Sequence, residues 1–201
     1  MALACAHRGR PAYNGQETNE RLELMMADSQ SAQAKGAGEL LHELMLRMIE
    51  FDAGDVPRIQ HFIKVASFAR TIGLGEGMDA GTLLTLEAAA IVHDIGIHPA
   101  EEKYGSSNGK YQEELGPEPA RQMLAEVGFD AERCERVAYL VGHHHTYTGI
   151  DGIDYQALVE ADFLVNLFED GASENAIRAA HDNVFRTATG KRLLKAIYFG
   201  E

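Results

Sequence analysis

Long apolar runs are missing from this chain. Nowhere in its 201 residues is there a stretch of about 18 uncharged apolar residues, the length a helix needs to cross a bilayer. Cysteine is scarce. Cys5 and Cys134 are the only two, too few for a disulfide framework, and a reduced cytoplasmic setting is the corresponding expectation. Residues 1–6, ahead of Arg8, are too short for the apolar stretch of a signal peptide. Positive charge is also in short supply. Acids outnumber Lys and Arg 31 to 18, for a net charge of −13. Nucleic acids reward a basic face, so general binding of DNA or RNA is not expected. No alternating run of β-branched residues reaches strand length, and no internal repeat occurs. What remains has ordinary globular proportions, 45% hydrophobic and 24% charged, in a chain long enough to bury one sizeable core.

The pattern that is present is helical. Residues 1–36 have no period and predict a mobile leader, with a short helix near 21–26. Residues 37–201 read as one all-α domain. Leu41, Leu44, Met45 and Met48 recur at spacings of three and four and mark a first amphipathic helix. A second follows Asp55, its N-cap candidate, with Ile59, Phe62, Ile63, Ala66 and Ala69 as the expected core face. The third, around residues 80–97, is apolar nearly all round, which predicts a central helix. Residues 98–115 carry Pro99, Gly105, Asn108 and Gly109 and predict a loop. Asp130 and Ser173 are further capping candidates, and the chain is expected to close in one or two helices around Gly190.

Polar groups in apolar surroundings carry the chemistry. Asp162 has Leu158, Val159 and Val165 at helical spacing, with Asn166 the one polar exception. An unpaired carboxylate on such a face costs several kcal/mol or takes up a proton, so a cation or a histidine must sit opposite. His93 and Asp94 follow a buried segment and precede another apolar run. His61 lies in mid-helix among Phe62, Ile63 and Val65. Neutral imidazole and carboxylate together suit zinc, iron, manganese, cobalt or nickel. Alone, a mid-helix histidine is more often a hydrogen-bonded core residue, and a His-Asp pair means little. Their joint occurrence in this order is what points to a metal. Three histidines, His143, His144 and His145, end another apolar helix. Successive helical residues point about 100° apart, so one helix cannot aim all three at one atom. His42 and His181 have no such company and read as structural or surface residues.

His61, then His93-Asp94, then Asp162 in an all-helical chain resembles the HD-domain metal-dependent phosphohydrolase superfamily. His93-Asp94-Ile95-Gly96 matches its HDIG variant, and Glu160-Ala161-Asp162 resembles its closing Ala-Asp signature. The resemblance spans about residues 40–170. It implies an HD-domain helical bundle in which His61, His93, Asp94 and Asp162 bind a divalent metal, and hydrolysis of a small-molecule phosphomonoester or phosphodiester, often a nucleotide. In that reading Asp94 also orients the attacking water, His143 and His144 serve a second metal or the substrate, and His145 contacts substrate. Lys103 and Lys110, in a glycine-rich stretch, would close over phosphate, and Lys64, one turn after His61, is a further candidate. A homodimer is compatible with the sequence.

Two departures narrow the substrate. Where binuclear members usually carry another histidine, four residues before Gly116, this chain has Gln112, with Glu113 beside it as a replacement candidate. One tightly bound metal and a weak second one follow as the expectation. The Gly-Tyr-Pro signature is absent after 143–145, and Ile97 stands where the cyclic-di-GMP phosphodiesterases carry lysine, so that activity is not expected. The rivals are a nucleotide or metal sensor that has lost turnover, which Gln112 favours, and an HD-fold oxygenase with paired iron.

Overall fold

A computed structural model describes residues 35–201, and the expected leader lies almost wholly outside them. The described residues form ten helices and no strand: α1 Ala37–Phe51, α2 Val56–Gly75, α3 Ala80–Val92, α4 Ile97–Tyr104, α5 Gly109–Leu115, α6 Pro117–Val127, α7 Ala131–Val141, α8 Ile153–Glu169, α9 Glu174–Asn183 and α10 Ala188–Tyr198. The all-α bundle is as the periodicity requires.

The centre is α3, packed against α1, α2, α7 and α8. Leu86, Ala88, Ala89, Ala90 and Val92 are wholly buried, and small alanines let four neighbours approach closely. The stretch Ala80–Tyr104 is long and apolar enough to cross a membrane by length and composition, but 72% of its apolar window is buried inside the fold, as a core helix requires. The caps are the expected ones: Asp55 accepts from Arg58 N, Asp130 from Arg133 N and Ser173 from Ala176 N.

Two expectations need correction. The core face of α2 is wider than the expected stripe. His61, Phe62, Val65, Ala69 and Ile72 are buried, whereas Ile63 is 36% exposed. Contact with both α3 and α8 turns the buried arc toward His61 and leaves Ile63 at its edge. Residues 98–115 are not a loop but α4 and α5. Pro99 stands in the first turn of α4, where its missing N–H is not needed. Gly105 ends that helix with a left-handed φ of 65°, and Asn108 caps α5 by accepting from Lys110 N. The loop-like punctuation is thus helix capping. The closing segment is two helices, as expected, with the break after Asn183 and Gly190 inside α10. A Cβ on Gly190 would overlap Glu160 Oε2. The buried Glu160 carboxylate accepts from Gln156 Nε2, Arg186 N, Thr187 N and Thr187 Oγ1, tying α8 to the start of α10.

Gly96, just after Asp94, is a close backbone crossing. A Cβ there would stand 2.6 Å from the Gln112 carbonyl and 3.0 Å from Gly116 N. Glycine lets the turn after α3 lie directly on the end of α5.

Candidate metal centre

Three helices meet at one point. His61 comes from the middle of α2, His93 and Asp94 from the end of α3, and Asp162 from the middle of α8. His61 Nε2 lies 3.1 Å from Asp162 Oδ1, 3.3 Å from His93 Nε2 and 3.5 Å from Asp94 Oδ2. His93 Nε2 lies 3.4 Å from Asp94 Oδ2 and 3.6 Å from Asp162 Oδ1. All four residues expected from the resemblance as ligands are brought together.

The far nitrogens of the rings are already engaged. His93 Nδ1 donates to Ala90 O at 2.9 Å, and His61 Nδ1 to Glu169 Oε2 at 2.8 Å. Each ring therefore turns its Nε2 inward. Two imidazole nitrogens facing each other at 3.3 Å, beside two carboxylates, need a proton or a cation between them. Without a metal the proton serves. Burial opposes charge on His61, but its hydrogen bond to Asp162 and the charges of Asp94 and Asp162 outweigh that and push its pKa up to about 9. His93 is raised as well, burial again being overcome by Asp94 and Asp162. Asp94 and Asp162 are held well below the usual carboxylate range despite burial, Asp94 by His93 and His144, and Asp162 by His61 and His93. This donor set of imidazole nitrogens and carboxylate oxygens, with the tautomers fixed from behind, fits a divalent transition metal.

A second group shares Asp94. His144 and His145 follow α7, and together with Asp94 they offer ligand atoms within 4.8 Å of one another. His144 Nδ1 donates to Val141 O at 2.8 Å, and its Nε2, 3.5 Å from Asp94 Oδ1, is buried without a hydrogen bond. His145 Nε2 is likewise buried and unpartnered. Burial, then the neighbouring His144, pushes the His145 pKa down to about 4, so this ring stays neutral and able to ligate. Gln112 is buried on the same side. Its Nε2 donates to Ser107 O at 2.8 Å, and its Oε1 has no hydrogen-bond partner.

Other expected residues lie elsewhere. His143 turns away, its Nδ1 donating to Tyr139 O at 2.6 Å and its ring stacked 4.2 Å from that of Tyr139. The turn that follows α7 sends His144 and His145 inward and His143 out. Lys103 pairs with Glu114 at 3.1 Å and lies over the Tyr104 ring, and Lys110 is exposed on α5. Neither lines the cavity, because the stretch that holds them is helical and presents them to solvent. Glu113 is not turned toward Asp94 by the bonds it makes. Its Oε1 accepts from His145 N and Thr146 Oγ1, both at 3.0 Å, and so fixes the histidine turn. Lys64 donates to Glu169 Oε1.

Above the centre is a cavity of about 570 Å³, whose walls include His61, Asp94, Gln112, His145 and Asp162. Arg58 lines it as well, and no lysine does. Asp55 at 2.9 Å and Glu101 at 2.6 Å hold the Arg58 guanidinium. Tyr147 and Phe163 meet edge to face at 5.1 Å on another wall. Arg58 and Glu169 are not among the residues that the sequence singles out. Helical spacing was the available signal, since Arg58 is three residues before His61 and Glu169 seven after Asp162.

The family description HD domain matches residues 58–179, more than half of the chain and all of the residues at the centre. The chain belongs to the HD-domain family. With that it joins a superfamily of metal-dependent hydrolases, and the matched span contains the His61, His93, Asp94 and Asp162 cluster. A crystal structure of a predicted HD superfamily hydrolase from an uncultured Thermotogales bacterium resembles this HD domain. The TM-score is 0.58 and the identity 26%, over 79% of this chain and 85% of that one. No curated protein matches the chain.

Proposed function

We propose that this HD domain is a metal-dependent phosphohydrolase acting on a small phosphomonoester or phosphodiester, with a nucleotide as the preferred class. The observation that carries the reading is the convergence of His61, His93, Asp94 and Asp162 on the floor of a cavity whose wall includes Arg58. A divalent cation, when bound, polarises a phosphoryl oxygen and lowers the pKa of water. The chain's own residues do the rest. Asp94, shared by both donor groups, orients the attacking water with its carboxylate. Arg58, its plane fixed by Asp55 and Glu101, offsets phosphate charge by planar hydrogen bonding. Tyr147, whose pKa burial pushes up to about 12, keeps its proton and donates a hydrogen bond from the rim. The Tyr147 and Phe163 rings give a planar base an apolar surface.

The test is elemental analysis of the purified protein, then a nucleotide and phosphoester panel with the metal found. Phosphate release that disappears in Asp94→Ala and falls in Arg58→Ala supports the reading. A second reading, a sensor without turnover, is favoured by Gln112 standing beside the second donor group. Metal and nucleotide binding with no phosphate release across the panel would select it.

A further inference from the structure

The imidazoles that face the centre are held from behind in two ways. His93 and His144 donate from Nδ1 to carbonyls of their own helices, Ala90 and Val141. His61 instead donates to a side chain 108 residues away, Glu169 at the C-terminal end of α8. The other oxygen of Glu169 accepts from Lys64, one turn after His61 on α2. The same helix thus touches both nitrogens of one ring. Asp162 is 3.1 Å from His61 Nε2, and Glu169, two turns later, is 2.8 Å from Nδ1.

A backbone carbonyl comes with the helix that carries the ring. A carboxylate on a distant helix is present only because the sequence supplies it there. Glu169 also lines the cavity, and its side chain is 30% exposed, so it is not a buried packing residue. Unsupported, the His61 ring can place its proton on Nε2 and lose its lone pair toward the centre, or rotate away from it.

We infer that Glu169 is a positioning residue for the cation site, fixing His61 with Nδ1 protonated and Nε2 directed at the metal, and that Lys64 holds Glu169 in place. The inference rests on His61 being a metal ligand, as the proposed function has it. Glu169 bonds the ring nitrogen that faces away from the cation site, so its effect on that site passes through the imidazole.

The experiment uses the full chain and Zn²⁺ as the probe. Affinity is read by competition with a chelating indicator, and the histidine tautomers of the Zn²⁺-loaded protein by nitrogen NMR. Glu169→Ala is expected to weaken Zn²⁺ about ten- to a hundredfold, the usual cost of losing a partner behind a ligating histidine. Its His61 signals should depart from the pattern with Nδ1 protonated. Glu169→Gln, whose amide oxygen still accepts from Nδ1, is expected to restore most of the affinity, Lys64 being 40% exposed and able to turn to water. Lys64→Ala should fall between the two. Circular dichroism establishes that each variant is folded. Wild-type affinity in Glu169→Ala, or equal losses in the Ala and Gln variants, would overturn the inference. His61→Ala separates the two readings. If it too binds Zn²⁺ like the wild type, the ligand set is wrong; if it binds weakly while Glu169→Ala does not, only the role of Glu169 fails.

Discussion

His61 and His93 present their Nε2 atoms to each other across 3.3 Å, while Glu169 and Ala90 O hold the opposite nitrogens. Two like acceptors at that distance repel unless something positive lies between. A proton and a divalent cation are therefore competitors for one place, and the outcome depends on pH.

Cation binding must displace the proton that His61 keeps up to about 9. Apparent affinity is expected to rise with pH up to that value, by about tenfold per unit for one displaced proton. The metal-free protein should behave oppositely. A pKa raised from 6.5 to about 9 on folding contributes stability fully present below 6.5 and lost as pH rises through 9. Across this window the melting temperature of chelator-treated protein should fall, whereas that of metal-loaded protein, whose His61 is unprotonated in the folded and unfolded states alike, should stay level. Parallel slopes would remove His61 from the competition.

Asp162→Ala is expected to abolish metal binding while leaving a folded helical protein. Asp94 remains paired with His61 and His93, which can keep one proton against it, so no buried charge is stranded. Elemental analysis together with circular dichroism checks both halves. Metal held at wild-type affinity would take Asp162 out of the site.

His144→Ala and His145→Ala should cost more turnover than His143→Ala. The resemblance pairs His143 with His144 at a second metal or the substrate, whereas the structure pairs His145 with His144. The inward Nε2 atoms of His144 and His145, against the outward stacking of His143 on Tyr139, are the reason. The three kcat/KM values decide it, and a largest loss at His143 would refute it.

Gln112→His should raise occupancy of the second donor group. Gln112 Oε1 is buried and unpartnered beside it, and an amide oxygen is a weaker ligand than imidazole for a transition metal. Metal per chain after dialysis is expected to go from one equivalent in the unmodified protein toward two. Two equivalents surviving dialysis without the substitution would show that Asp94, His144 and His145 suffice.

Glu160→Ala should destabilise without touching the metal. It leaves the part-buried backbone N–H of Arg186 and the buried one of Thr187 without their acceptor, at about 3 kcal/mol in total. For a chain of this length that corresponds to a melting temperature lower by about 6–12 °C. Metal content measured below the transition should be unchanged.

What the sequence made legible was whatever is costly to bury. Asp162 among Leu158, Val159 and Val165 demanded a positive partner, and His61, His93 and Asp94 were the groups able to provide the site. Arg58 and Glu169 were not legible, because partly exposed charges on helices incur no such penalty and look like solvated surface. Gly105 and Asn108 misled for a different reason. The residues that cap helices are the residues that make loops, and a segment with two short helices carries as many of them as a segment with none. The facing of His143, His144 and His145 could not be read, since their directions depend on the turn that Glu113 fixes from another helix.

The crossing at Gly96 has a mechanical consequence. With no side chain between them, the turn that follows Asp94 and the end of α5 that carries Gln112 rest backbone on backbone, and they move as one body. The Asp94 turn and the Gln112 wall of the cavity therefore keep their spacing whatever enters, and a side chain at Gly96 would part the one from the other.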